Sequence, residues 1–155
     1  MRSRLRSNSG LGLVELGIIL IGVAIVFVAV ITGTHRRAVQ QQRDVTIERL
    51  NLIQDGLTRY ATDNGGMFPT QKQGGLQALV AKPKSAPRPH NWLGPYVASA
   101  TVLVDAWGSP FFYTQPGGGD PARPYDVWSF GRDRRQDGEG LDRDVNSWER
   151  RTQLP

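Results

Sequence analysis

The stretch LGIILIGVAIVFVAVITGT, residues 16–34, contains no charged side chain over 19 consecutive positions. As an α-helix that rises about 1.5 Å per residue, it would be roughly 28 Å long, close to the hydrocarbon thickness of a bilayer. Its apolar residues leave no polar face, so this helix belongs in lipid or at the centre of an assembly. The sequence therefore predicts one transmembrane helix, which we place at residues 11–34.

The residues on either side of this helix orient it. Three arginines lie within residues 2–6, and basic residues beside a membrane helix favour the cytoplasmic side. A basic group at residues 35–37 weakens this asymmetry. The apolar run is longer than the core of a signal peptide, and no small-x-small cleavage site follows it. We predict a single-pass anchor with a cytoplasmic N terminus.

Glu15 lies at the edge of the apolar run, where a carboxylate is costly enough to suggest a function. The simpler alternative is an interfacial glutamate that favours the positive end of the helix dipole. Both interpretations remain open at this point.

The composition limits the remaining chain to one small domain. The chain has 155 residues, a formal net charge of +5 and no cysteine, so no disulfide can stabilise it. The basic residues are scattered and do not alternate with aromatic side chains, which argues against nucleic acid as a partner. The two histidines, His35 and His90, have no nucleophile beside them, and the glycines at 117–119 do not open a phosphate-binding helix. We therefore predict that the protein is not an enzyme.

The pattern after the apolar run predicts an amphipathic continuation of the helix over residues 35–64. Apolar residues recur there with helical spacing, and DNGG at 63–66 is a strong stop signal. The residues of this core-facing stripe are Leu50, Ile53, Leu57 and Tyr60.

Residues 65–155 are predicted to form a small head. The segment 74–83 resembles a short helix that Pro83 closes, and 83–89 is a proline-rich loop. Short β-type runs at 111–113 and 125–128 flank a glycine-rich turn, which predicts a hairpin. The predicted fold class is α+β, with a long N-terminal helix and a short antiparallel sheet.

Five carboxylates crowd into residues 133–144, near the end of the head. Asp133, Asp137, Gly138 and Asp144 stand at positions one, five, six and twelve of an EF-hand-like frame, although no flanking helices are evident. The segment contains no Cys or His, which disfavours zinc, and its oxygen-rich composition suits Ca²⁺. A solvated charge run is the alternative.

The segment GLGLVE at residues 10–15 resembles the processing site of type IV pilin-like proteins. The resemblance implies that residues 1–10 are a basic leader, which a prepilin peptidase removes by cutting between Gly10 and Leu11. It also implies methylation of the new Leu11 amine. Glu15 would then neutralise the amine of a neighbouring subunit, because two buried charges are tolerable when they pair.

Six further motifs, in the same order, are similar to those of the major pseudopilins of bacterial type II secretion systems. They are FPT at 68–70, GLQAL at 75–79, KP at 82–83, GPY at 94–96, DAWG at 105–108 and YDVWSFG at 125–131, followed by an aspartate and GEG at 138–140. Three residues depart from the family pattern: Ala106 replaces proline, Arg132 replaces a small residue and Asp137 replaces glycine.

This resemblance implies a pilin-like subunit of the bacterial inner membrane with a periplasmic head. Its implied function is to polymerise into a periplasmic pseudopilus that supports export of folded proteins. The implied partners are other copies of the chain, minor pseudopilins, the inner-membrane assembly platform, the prepilin peptidase and lipid. In the family, the acidic loop binds Ca²⁺, which here implies Asp133, Asp142, Asp144 and the main-chain oxygen of Phe130 as ligands.

Two other functions stay open at this point. One is a major type IV pilin of a surface fibre, although many such pilins carry a disulfide loop that this cysteine-free chain lacks. The other is a signal-anchored periplasmic calcium-binding domain with no role in assembly.

Overall fold

The computed structural model describes residues 12–84, 86–119 and 123–149. One long α-helix, α1, begins at Leu13 and ends at Asp63. The chain divides into two compact units, the first ending at Ala38 and the second beginning at Val39. Helix α1 ends one residue before the predicted boundary, at the DNGG stop signal, where Gly65 adopts a left-handed φ of 68°.

The first unit consists of the apolar part of α1. Its large side chains are exposed, as Ile18 at 66% and Phe27 at 65% illustrate. The helix is long and apolar enough to cross a membrane. Among the described residues, those of its most apolar stretch are not buried. This segment fits a membrane anchor, because such side chains need lipid or another apolar helix to cover them.

The C-terminal half of α1 forms one wall of the core in the second unit. The predicted stripe is confirmed: Leu50, Ile53 and Leu57 are completely buried and Tyr60 is 1% exposed. Gly56 lies on the same face, and a Cβ there would meet the Val97 side chain at 3.0 Å. Glycine at this position therefore lets the loop around Val97 approach the helix. The core is completed by residues that include Leu76, Leu79, Tyr96, Val97, Leu103, Phe111, Tyr113, Val127 and Val145.

A three-stranded antiparallel sheet completes the second unit, in the order β1–β2–β3. The strands are β1 (Phe112–Thr114), β2 (Asp126–Ser129) and β3 (Val145–Asn146). The register aligns Tyr113 with Val127 and Ser129 with Val145. The predicted hairpin and the α+β class are confirmed, whereas β3 was not predicted.

The predicted short helix at 74–83 is instead a 3₁₀ helix that spans Gly75–Leu79. In a continuing α-helix the carbonyl of Leu79 would accept from the N–H of residue 83, but Pro83 has none to donate. The carbonyl of Leu79 accepts instead from the backbone N–H groups of Tyr96 and Val97, at 2.7 and 3.4 Å. Other 3₁₀ turns lie at Gln71–Gln73, Ala100–Leu103, Gly117–Gly119 and Gly140–Asp142.

Candidate functional site

Glu15 lies in the first turn of α1, and its Oε2 accepts a hydrogen bond from the backbone N–H of Gly12 at 2.9 Å. This bond satisfies one of the donors that every helix leaves unpaired at its start, and the negative charge lies at the positive end of the helix dipole. The structure therefore shows the local contact that the simpler interpretation of Glu15 requires. The Gly10–Leu11 junction and the rest of the leader lie outside the described residues, so processing stays a prediction.

In the second unit, the acidic loop, which we define as residues 131–144, connects β2 to β3. A buried carboxylate, Asp105, anchors the start of this loop and is 2% exposed. Its Oδ1 accepts hydrogen bonds from the backbone N–H of Trp107 at 2.9 Å and of Ser109 at 2.8 Å. Its Oδ2 accepts from the hydroxyl of Ser129, in β2, at 2.6 Å.

Ser129 extends this network into the acidic loop, because its Oγ also accepts from the backbone N–H of Gly131 at 3.0 Å. Helix α1 joins from the other side, where Arg49 Nη1 donates to the carbonyls of Val104 and Asp105 at 2.8 and 3.1 Å. Sequence analysis identified Asp105 within the DAWG motif but assigned it no role. The network makes it the link between α1, β2 and the acidic loop.

A second contact with α1 holds the far end of the acidic loop. The guanidinium of Arg43 donates to the carbonyls of Arg143 and Asp144, the latter at 3.2 Å. Burial is the main cause that lowers the pKa of Arg43, and the nearby Arg143 adds to it. The far end of the acidic loop is therefore bonded directly to α1, whereas its start is connected to the helix through Ser129 and Asp105.

Asp144 is the predicted ligand whose surroundings best suit a cation. Its Oδ2 accepts from the backbone N–H of Asp137 at 3.2 Å, whereas no donor among the described residues reaches its buried Oδ1. Burial is the main cause that raises the pKa of Asp144; the nearby backbone N–H groups of Asp137 and Gly138 oppose this shift, and the charges of Asp137 and Asp133 add to it. A bound cation would offset the lost hydration and the repulsion between these carboxylates.

Asp142 is engaged differently, since it forms a bidentate ion pair with Arg132. Arg132 Nε lies 2.7 Å from Oδ1 of Asp142, and Nη2 lies 3.0 Å from Oδ2. This hydrogen-bonded pair lowers the pKa of Asp142 and raises that of Arg132. Asp133, the residue after Arg132, accepts a hydrogen bond at its Oδ1 from the backbone N–H of Arg135 at 3.1 Å.

Two of the four residues predicted to bind calcium line one groove. Asp144 and Phe130 line a groove of about 520 Å³, together with Asp137 and aromatic side chains such as Trp128. Asp133 and Asp142 are not among its lining residues. Over residues 12–84, 86–119 and 123–149, no three acidic, histidine or cysteine side chains form a metal-binding group. The full calcium ligand set therefore stays a prediction.

Comparison with known proteins gives a consistent result along most of the chain. A family model described as type II secretion system (T2SS), protein G, matches residues 31–148. The type II secretion system core protein G of Pseudomonas aeruginosa is 32% identical over 145 residues, which cover 93% of this chain and 97% of that protein. The protein of the same name from Vibrio cholerae is 30% identical over 148 residues, with 94% of each chain covered.

A solved structure is similar as well. The crystal structure of the major pseudopilin from the type 2 secretion system of enterohaemorrhagic Escherichia coli matches with a TM-score of 0.56 and 30% sequence identity. The match covers 76% of this chain and 93% of that one. The similarity therefore includes fold and sequence together.

Proposed function

Since this chain belongs to the type II secretion system protein G family, we propose that it is the main structural subunit of a periplasmic pseudopilus. Its homologues are core proteins of type II secretion systems, and its fold is that of a major pseudopilin. The family has a structural role, so the function is assembly rather than catalysis. The family match across residues 31–148 is the observation that carries this proposal.

The apolar part of α1 supports a role in polymerisation. Its side chains are exposed from Leu13 to Ile31, so they can be covered by lipid before assembly and by the same segment of other copies afterwards. We propose that subunits wait in the inner membrane with the head in the periplasm. The assembly platform and minor pseudopilins then incorporate them into a filament that helps folded proteins cross the outer membrane.

Processing separates this function from that of a signal-anchored domain. We expect a prepilin peptidase to cut between Gly10 and Leu11 and the Leu11 amine to carry a methyl group. Intact-mass measurement on protein extracted from membranes with an active peptidase should show both changes, and a peptidase-deficient strain should retain residues 1–10. An unchanged mass in both strains would contradict membership in the processed pilin-like class.

We also propose that the acidic loop binds Ca²⁺ through Asp133, Asp142, Asp144 and the main-chain oxygen of Phe130. Oδ1 of Asp144 has no hydrogen-bond partner in the described part of the chain, and this buried atom and the like charges around it support the proposal. Calcium, which prefers oxygen ligands, would cross-link a loop that lies between β2 and β3. Such a cross-link suits a small domain without cysteine.

Saturating Ca²⁺ should therefore raise the melting temperature of the head by about 10–20 °C. A ligand at a hundredfold excess over its Kd stabilises by about 2.7 kcal/mol, and each kcal/mol shifts the melting temperature of a domain of about 100 residues by about 4–8 °C. The full chain in detergent can be followed by tryptophan fluorescence, because all four tryptophans lie after residue 64. Asp144→Ala should lose most of the shift.

Magnesium is the control for this measurement. At equal concentration it screens charge as calcium does, but it requires a tighter octahedral site. Equal shifts with the two ions, or no shift with either, would mean that the acidic loop is a solvated charge run.

A further inference from the structure

The groove of about 520 Å³ has an aromatic floor on the outer face of the sheet. Val127 of β2 is completely buried in the core, so its neighbour Trp128 lies on the opposite face. Trp148, which follows β3, contacts Trp128 edge to face with ring centroids 6.2 Å apart and is 38% exposed. Phe130 packs beside Trp128 and lines the same groove. The sheet therefore presents a concave aromatic surface.

The walls of this groove carry more negative than positive charge. Among the described residues, its charged lining consists of Asp126, Asp137, Asp144, Glu149 and Arg143. Arg143 is paired with Glu149 at 3.3 Å, whereas no ion pair in the described part of the chain engages Asp137 or Asp144. An aromatic floor beside such carboxylates suits a cationic side chain, above all a guanidinium, which stacks on aromatic rings.

One guanidinium of the chain already lies at the side of this floor. Cζ of Arg123 is 5.7 Å from the centre of the Trp148 ring, and its Nη2 is 3.3 Å from Oδ2 of Asp126. Arg123 thus combines contact with an aromatic ring and contact with a carboxylate. The rest of the floor, beside Asp137, offers the same two features to a second cation.

The complementary charge lies on the same chain, on a surface that we define by Lys82, Lys84 and Arg88 and call the basic surface. All three residues are exposed, and Arg88 Nε donates to the carbonyl of Lys84 at 3.4 Å. No ion pair among the described residues engages them. This part of the chain returns to the end of α1, where the backbone N–H of Asn91 donates to Oδ1 of Asn64 at 3.0 Å.

The groove and the basic surface lie too far apart to meet within one copy. The acidic wall is bonded to Arg43 through the carbonyl of Asp144 at 3.2 Å, whereas the basic surface adjoins α1 at Asn64. At about 1.5 Å per residue, Arg43 and Asn64 are roughly 30 Å apart along the helix. A contact between the two surfaces therefore requires a second copy. Each copy can offer its basic surface to one neighbour and its groove to another, and repetition of such a heterologous contact gives an open filament.

We propose that the groove binds the basic surface of a second copy of the chain, with Arg88 on the aromatic floor beside Asp137. This inference rests on the assembly function proposed above and adds a contact between the second units of neighbouring copies. Asp137 is not among the predicted calcium ligands, so the contact does not depend on calcium.

Thiol cross-linking tests this contact directly, because the chain contains no cysteine. Filaments of a variant with both Arg88→Cys and Asp137→Cys should give a ladder of covalent multimers with a bismaleimide. Either substitution alone should give monomers, and a mixture of the two single variants should give dimers only. The matched control combines Asp55→Cys with Asp137→Cys, since Asp55 is exposed on α1 outside both surfaces, and it should give no ladder.

Charge reversal gives a second measurement that needs no cysteine. Arg88→Glu and Asp137→Arg each place like charges at the contact, and each should reduce the yield of sheared filaments about tenfold. The chain with both substitutions restores opposite charges and should recover most of that yield. Extraction from membranes should show equal insertion for all of these variants.

The results separate this contact from the assembly function. If the unaltered chain forms filaments, but the pair of cysteines gives no ladder and the reversed pair gives no recovery, the contact is overturned and the assembly function stands. A ladder of equal intensity from the control with Asp55→Cys would also overturn it, because random collision would explain both ladders. No filaments from the unaltered chain would overturn the assembly function and the contact together.

Discussion

Replacing Asp105 with alanine should lower the free energy of unfolding of the head by about 3–5 kcal/mol, because one buried and two half-buried donors lose their acceptor together. The two backbone N–H groups and the Ser129 hydroxyl lie within 2.9 Å of the carboxylate, and the residue is 2% exposed. A loss of this size is a large fraction of the stability of a small domain.

Urea unfolding followed by tryptophan fluorescence measures this effect. Asp105→Asn keeps one oxygen for the two backbone N–H groups and should lose less stability than the alanine variant. Asp55→Ala deletes the same group from an exposed position on α1 and should change stability by no more than about 0.5 kcal/mol. If the free energy of unfolding of Asp105→Ala lay within about 1 kcal/mol of that of the unaltered chain, the hydrogen bonds of Asp105 would not stabilise the fold as proposed.

The prediction from sequence succeeded where local pattern and burial agree. Leu50, Ile53 and Leu57 recur with helical spacing, and all three are completely buried. The hairpin of β1 and β2 was recognisable for a similar reason, since its β-type runs are separated by a glycine-rich turn. Such features depend on neighbours in the chain and can be read without tertiary information.

The third strand could not be found in that way. Val145 and Asn146 form only a two-residue strand, which is too short to show any alternation. Its pairing with Trp128 and Ser129 in β2 depends on how the acidic loop returns the chain to the sheet. Tertiary context, rather than propensity, decides this element.

The acidic loop was predictable in composition but not in its pairings. The density of carboxylates indicated a cation site, yet Asp142 faces Arg132 while Asp144 accepts from the backbone of Asp137. The path of the loop controls this choice, and it passes through left-handed φ values of 57° at Arg134 and 63° at Asp137. Residues other than glycine adopt this region infrequently, so sequence alone gave no reason to expect it.

Asp105 illustrates the same limit in the core. Asp105 belongs to the DAWG motif, but the motif did not reveal its contacts. Its carboxylate bonds to the turn at Ser109 and to Ser129 of β2, and its carbonyl accepts from Arg49 of α1. These segments are far apart in sequence, and no local spacing connects them. The motif therefore indicated the family, whereas only the structure showed the hydrogen bonds that Asp105 forms.

Filament assembly should fail when Glu15 is replaced by alanine, whereas membrane insertion should persist. Cleavage after Gly10 would create a cationic amine that enters an apolar environment on assembly. Removing the partner of a buried charge costs about 3–5 kcal/mol, which corresponds to a loss of more than about a hundredfold in each subunit contact. The uncharged segment 16–34 is unchanged in the variant, so its insertion into the membrane should not depend on Glu15.

A glutamine at this position distinguishes charge pairing from helix capping. In the structure Glu15 Oε2 accepts from Gly12 N at 2.9 Å, and the carboxamide oxygen of glutamine can accept the same bond. If Glu15 acts by capping its own helix, Glu15→Gln should assemble normally and Glu15→Ala should lose only part of its assembly. If the negative charge neutralises the amine of a neighbouring subunit, both variants should fail.

Cross-linking and microscopy of sheared filaments measure assembly, and extraction of the protein from membranes measures insertion. Normal filaments from Glu15→Gln would leave capping as the role of this carboxylate, because the neutral side chain cannot compensate a cation in an apolar filament core.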